Sequence, residues 1–197
     1  TEFPTIDEDS PYELSAKEKE VVEKLVKSFK NSEKLQKHIN FLYTKGSIYK
    51  IYNQNLLIHG CVPMNDLGEL VEVEFENKKL KGKEYLDYID EIARKAFYLD
   101  ESDEKTNAMD FMWYLWCGKY SPIFCKNAMK TFERYFVDDK ELHKENKNPF
   151  YIFAQNEEVC DTLLGEFGIE KDKGHIICGH IPVKFKSGES PIKANGK

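Results

Sequence analysis

Two apolar runs, each carrying a histidine beside a glycine, do most to limit what this chain can become. One is Leu56-Leu57-Ile58-His59-Gly60-Cys61; the other is Ile176-Ile177-Cys178-Gly179-His180-Ile181-Pro182-Val183. In each, strand-forming residues bring an imidazole to the end of an extended segment, and the glycine lets the backbone turn sharply there. Between them runs mostly helix-period sequence of roughly a hundred residues, far longer than an ordinary loop of about 4–6 residues. Such an excursion reads as a cap over whatever the two strand ends hold. The fold class expected is therefore α+β, a partial sheet layer with a large α-helical cap or insertion.

The periodicity divides the chain into four stretches of one structural unit. Residues 1–46 read as an N-terminal helical segment. Ser10-Pro11-Tyr12-Glu13 offers one helix start, and the capping box from Ser15 to Glu18 competes with it. Val22, Leu25, Val26 and Phe29 then fall on one face; Leu35, His38, Ile39 and Leu42 form the stripe of a second helix that Gly46 ends. Residues 47–82 read as strands and hairpins carrying the first histidine motif, with Asn53-Gln54-Asn55 as one turn and Asn77-Lys78 as another, and a strand over Leu70–Phe75. Residues 83–170 read as the helical cap. Leu86, Ile89, Ala93 and Ala96 form one stripe; Met109–Trp116 is apolar nearly all round; Lys126–Phe136 is a further helix after Pro122; and Asn156 caps a last helix ended by Gly168. Residues 171–197 read as a strand and loop carrying the second histidine motif.

Composition removes several function classes. The net charge of -6 argues against a general nucleic-acid surface. No apolar run approaches the roughly 20 residues that span a bilayer. Five cysteines at irregular spacing do not read as a disulfide framework, so the expected home is a reducing cytoplasm with cysteines mostly acting as small buried hydrophobes. Thr1 is not an initiator methionine, and Asn195-Gly196-Lys197 is a turn signal leading onward, so both ends read as cut.

Neutral imidazoles on rigid strand ends suit a divalent transition metal. A single histidine after an apolar strand is more often a hydrogen-bonded core residue; the matched pair is what favours His59 and His180 as ligands. His38, on an apolar helix face, reads as structural, and His143, in the polar run from Asp138 to Asn148, as exposed. His175 and Asn65 are candidates for a supporting shell. Trp113 and Trp116 either wall a cleft or, more simply, pack in the core.

Strand-His-Gly followed much later by strand-Gly-His resembles the last two metal motifs of the calcineurin-like metallophosphoesterases. The text around those motifs is similar to the class III fructose-1,6-bisphosphatases of bacteria. The resemblance is carried by Leu56–Asn65, by Phe111-Met112-Trp113-Tyr114-Leu115-Trp116-Cys117-Gly118, by Thr131-Phe132-Glu133-Arg134-Tyr135-Phe136 and by Gly179-His180-Ile181-Pro182-Val183-Lys184 with Gly188–Lys197. It extends over essentially the whole chain, including Ser32–His38.

The resemblance implies a partial metallophosphoesterase sheet layer, a two-metal site (generally manganese), and hydrolysis of fructose 1,6-bisphosphate to fructose 6-phosphate and phosphate in gluconeogenesis. It implies that His59 and His180 ligate one and the same metal. The family's other three motifs are absent from these 197 residues: there is no Gly-Asp-x-His-Gly, no Gly-Asp-x-x-Asp-Arg-Gly and no Gly-Asn-His. The expectation is a segment of a parent over three times its length, inactive alone, with those motifs lying before Thr1. A bisphosphorylated substrate calls for positive charge, and Arg134, Lys184, Lys193 and Lys197 are the candidates. Phosphorylated metabolites are expected as effectors, and a homo-oligomer is expected from open strand edges; no nucleic-acid or membrane partner is expected. Two rival functions stand beside this one. His59, Cys61, His175, Cys178 and His180 offer nitrogen and sulfur donors for a structural zinc ion, though not at finger spacings. Alternatively, the helical excursion is a non-catalytic module that binds a partner or effector.

Overall fold

A computed structural model describes residues 6–197. The chain divides into two compact units, one of residues 6–46 with 132–142 and the other of residues 47–131 with 143–197.

In the first unit, helix α1 (Ala16–Lys30) starts at Ser15, not Ser10. The Ser15 hydroxyl accepts from the Glu18 amide and the Glu18 carboxylate accepts from the Ser15 amide, so the capping box satisfies both donors at 3.4 and 2.8 Å. The competing start at Ser10-Pro11 has no reciprocal pair and forms only a turn. Helix α2 (Glu33–Lys45) is capped by the Ser32 hydroxyl, which accepts from the Leu35 amide. The apolar stripes are not buried as their spacing suggests: Val22 is 44% exposed, Phe29 62% and Leu42 63%. His38 is exposed as well. Local capping and the Glu20–Lys24 pair at 2.6 Å are enough to form helices, but burial needs a second apolar surface on the same face.

The second unit holds the core. Strands β1 (Tyr49–Tyr52) and β2 (Asn55–Ile58) form an antiparallel hairpin. Its turn residues Asn53 and Gln54 both take left-handed φ, 55° and 63°, which matches the twist of the flanking strands. β3 (Val73–Phe75) and β4 (Lys78–Leu80) make a second hairpin across Glu76 and Asn77. The strand expected over Leu70–Phe75 is thus shorter, because Leu70 bridges back to Met64 instead. Helices α3 (Gly82–Tyr98) and α4 (Asp103–Cys117) follow and pack on one another. α3 buries Tyr85, Leu86, Ile89, Ile92 and Ala93; α4 buries Ala108, Phe111 and Leu115.

Only that one face of α4 is covered. Trp113 and Trp116 lie on the opposite side, 63% and 53% exposed, with ring centroids 5.0 Å apart. The expectation that they pack in the core is overturned: apolar residues all round the helix meet a neighbour on one side only, and the two indoles cover each other. The helix expected over Lys126–Phe136 contracts to α5 (Thr131–Phe136). Its front half pairs with the polar run after it: Lys126 bridges Lys147, the Asn127 amide donates to Asn146 O at 2.9 Å, and the Lys130 amide donates to the Glu145 carboxylate at 2.8 Å. His143, expected to be exposed, is half-buried.

Helices α6 (Phe150–Phe153) and α7 (Glu157–Glu166) complete the core with Phe150, Leu163 and Leu164. The Asn156 carboxamide caps α7, and Gly168 beyond its end takes φ 70°. β5 (His175–Cys178) then runs parallel to β2, in the order β1-β2-β5, with Ile58 opposite Cys178. That register carries the two histidine motifs to the same end of the sheet.

One buried polar side chain ties the excursion to the first motif. Asn148 Oδ1 accepts from the Met64 amide at 3.1 Å and from the Phe150 amide at 3.0 Å. Asn148→Ala leaves both buried donors without a partner and is expected to cost about 2 kcal/mol, within the 1–3 kcal/mol of an unsatisfied buried group. Chemical denaturation checks it, with an unchanged midpoint as the contrary result.

Candidate functional site

Beyond Ile58 and Cys178 the parallel pairing continues for one more bond, from the Gly179 amide to His59 O at 3.1 Å. The chain then turns out of the sheet on both sides. Gly60 sits in close contact: a Cβ there would lie 2.0 Å from Pro122 O and 2.4 Å from Cys125 Sγ. The Cys61 amide donates to that same Pro122 carbonyl at 3.0 Å. Gly60 O in turn accepts from Tyr151 Oη at 3.1 Å and from the Cys178 thiol at 2.8 Å.

These contacts bring the imidazoles together across 121 residues of sequence. His180 Nδ1 and His59 Nε2 stand 3.2 Å apart, with the rings edge to face at 87°. At that separation either one ring N–H points at the other's lone pair, or both lone pairs face one cation. Two nitrogens bound tetrahedrally at about 2.0–2.1 Å, as for zinc, lie roughly 3.3–3.4 Å apart, so the observed spacing fits a shared ion. Burial holds the His180 pKa below its ordinary value, with the His59 ring and the charges of Lys126 and Lys147 adding to the effect. The His180 ring is therefore neutral at pH 7, as a ligand must be. The Tyr151 ring stacks on it at 23° with centroids 6.5 Å apart.

Two imidazoles are fewer donors than a metal site needs. Three or four protein ligands are usual, and among the described residues no group of three or more His, Cys, Asp or Glu side chains is arranged to hold a metal. Beyond the histidine pair, the other three donors of a structural zinc site do not join it. Cys61 is buried, and its thiol is pushed up by its hydrogen bond with Cys125 and by burial. Cys178 spends its thiol on Gly60 O. His175 lies at the far end of β5, where Nδ1 meets Gly196 O at 2.6 Å.

The remaining candidates make contacts of their own. His175 does not contact the histidine pair, because it lies at the opposite end of β5, with two strand residues between it and Cys178. The Asn65 carboxamide is consumed in its own turn, accepting from the Leu67 and Glu69 amides at 2.9 and 3.0 Å and donating to the Glu69 carboxylate at 2.9 Å. Of the phosphate candidates, Lys193 pairs with Glu189 at 3.0 Å and Lys197 with Asp161 at 2.8 Å. The exposed Lys184 is tied by its backbone, its amide donating to Glu189 at 2.9 Å. Arg134 is exposed on α5, in the other compact unit. Sequence reasoning missed Tyr151, Lys126 and Lys147. Lys126 opens the stretch read as a helix and Lys147 falls in the polar run read as solvated, and only the bridge between them, invisible in the linear text, brings them together.

The fold and site define a strand-end histidine pair, in which two parallel strands carry imidazoles to one point. The family of the whole can be stated from sequence comparison. Residues 1–197 match the family model described as Firmicute fructose-1,6-bisphosphatase, and the chain belongs to that family. Its relatives include proteins named fructose-1,6-bisphosphatase class 3 from Clostridium botulinum (strain 657 / Type Ba4), 57% identical, and Clostridium tetani (strain Massachusetts / E88), 54% identical. Each alignment covers 100% of this chain and 30% of the relative, so the chain spans about 30% of the length of the curated proteins it matches. No solved structure matches. No helix among the described residues is long and apolar enough to cross a membrane.

Proposed function

We propose that the protein is a metal-dependent phosphatase that hydrolyses fructose 1,6-bisphosphate to fructose 6-phosphate and phosphate, working in the cytoplasm with manganese in a two-metal site. The observation that carries this reading is the 3.2 Å approach of His59 Nε2 and His180 Nδ1, within a chain of this family. In it, the β1-β2-β5 sheet is part of a metallophosphoesterase layer and the helices between β2 and β5 are its cap. His59 and His180 hold one ion, and the remaining ligands come from the rest of the enzyme. A divalent ion there supplies Lewis acidity, neutralising phosphate charge and making a water more acidic.

The chain's own residues supply position. Parallel pairing fixes both strand ends, so neither imidazole has to be ordered when the site fills. Tyr151 supports the face of His180 while its hydroxyl anchors the backbone one residue after His59. Burial keeps His180 neutral and able to donate its lone pair.

The test is made on the protein at the full length of its relatives. Loaded with manganese, it should release phosphate and fructose 6-phosphate from fructose 1,6-bisphosphate. A chelator should stop the reaction and added manganese should restore it. Absence of phosphate release with manganese, magnesium and zinc alike would overturn the reading.

A further inference from the structure

The site as described lacks a cation of its own for the substrate, and one stands beside it. Lys126 and Lys147 face each other across a backbone bridge. They are not equivalent. Lys126 is committed to Glu145 at 2.6 Å, a carboxylate whose side chain is only 5% exposed and which needs that countercharge. The Lys147 ammonium is exposed and has no hydrogen-bond or ion-pair partner among the described residues.

Its base is nevertheless fixed. On one side the Asn146 amide donates to Asn127 Oδ1 at 2.9 Å. On the other, the Asn148 amide donates to Cys125 O at 2.8 Å, and the Asn148 side chain is buried in the core. Lys147 lines a cavity of about 540 Å3 together with Tyr151 and Cys178. Tyr151 is the residue stacked on His180, and Cys178 lies two residues before it. A cation with no carboxylate partner, held on a rigid backbone next to a paired-histidine site, is suited to an anionic ligand.

We propose that Lys147 is the phosphate-binding residue of the His59–His180 site, receiving a phosphate monoester group of the substrate. The inference rests on the phosphatase reading above and assigns its substrate contact to the excursion. The lysine acts as a point charge on the phosphate oxygens in ground state and transition state alike.

The test uses the manganese-loaded full-length protein with Lys147→Gln and Lys147→Arg. Lys147 is exposed, so neither change disturbs the core. Three quantities are read: KM and kcat for fructose 1,6-bisphosphate, the dissociation constant of inorganic phosphate by titration calorimetry, and bound manganese. Lys147→Gln should raise both KM and the phosphate dissociation constant about 10- to 100-fold, the loss expected for a charge-assisted hydrogen bond. Here kcat should stay near the wild-type value and bound manganese should be unchanged. Lys147→Arg should recover most of the loss. KM and phosphate affinity both within about twofold of wild type in Lys147→Gln would overturn the assignment while leaving the phosphatase reading intact. If the wild-type protein turns nothing over, that reading fails on its own, and the phosphate titration still decides the role of Lys147. A wild-type protein that binds no phosphate overturns the assignment too.

Discussion

Replacing His59 with alanine in the full-length protein is expected to lower metal affinity by more than about 100-fold, beyond the 10–100-fold that accompanies loss of a supporting contact around a metal ligand. Phosphate release should fall in step. The reason is geometric: His180 Nδ1 is poised 3.2 Å from the partner nitrogen, and without that partner a single imidazole remains from this chain. His180→Ala should have the same effect. The double variant should be scarcely worse than either single one, because residues that act as a unit are not additive. Metal content by mass spectrometry and hydrolysis of fructose 1,6-bisphosphate are the two readouts. A His59→Ala protein that keeps its full complement of manganese would remove the ground for treating the pair as ligands.

Gly60→Ala is expected to be the most damaging single methyl in the chain. The added carbon would stand 2.0 Å from Pro122 O and 2.4 Å from Cys125 Sγ. Neither obstacle is the free end of a flexible side chain. Pro122 O is held by the Cys61 amide at 3.0 Å and also accepts from the Cys125 thiol at 3.0 Å. The loop must move as a body, so the cost belongs at or above the top of the usual overpacking range, about 3 kcal/mol or more. For a protein of this size that corresponds to a fall in Tm of about 6–12 °C. Thermal unfolding followed by calorimetry measures it. Because Gly60 O also receives Tyr151 and Cys178, metal affinity should fall along with stability. An unchanged Tm would mean that the loop gives way easily and that the glycine is there for some other reason.

How far the text of the chain spoke for its structure depended on whether a signal was local. Ser15 and Glu18 cap α1 because both partners of the capping box sit within one turn. The Asn156 cap and the hairpin at Asn53-Gln54 are legible for the same reason. The two histidine motifs could be paired because each carried its own strand and glycine, although the 3.2 Å distance itself needed the register of β2 and β5. What misled was the assumption that an apolar stripe is a buried stripe. Trp113, Trp116 and the α1 stripe have the right spacing and remain open, since spacing says which residues share a face and nothing about what lies opposite. The partners of the phosphate candidates were hidden in a related way. Lys193 and Lys197 read as a basic tail, yet Glu189 and Asp161 neutralise them, one four residues before Lys193 and the other thirty-six before Lys197. Lys147 was hidden because it falls in a polar run that reads as solvated, and only its bridge to Lys126 and the cavity it lines place it.

The parallel pairing of β2 with β5 bears on the order in which this molecule comes together. An antiparallel hairpin such as β1–β2 can close in microseconds, whereas a contact spanning 121 positions has to wait until the polymer between its ends is compact. The histidine encounter is therefore a late event on the folding route. Whatever slows or frays the intervening helices lowers the fraction of molecules competent to take up an ion, so metal uptake during refolding keeps time for the whole segment.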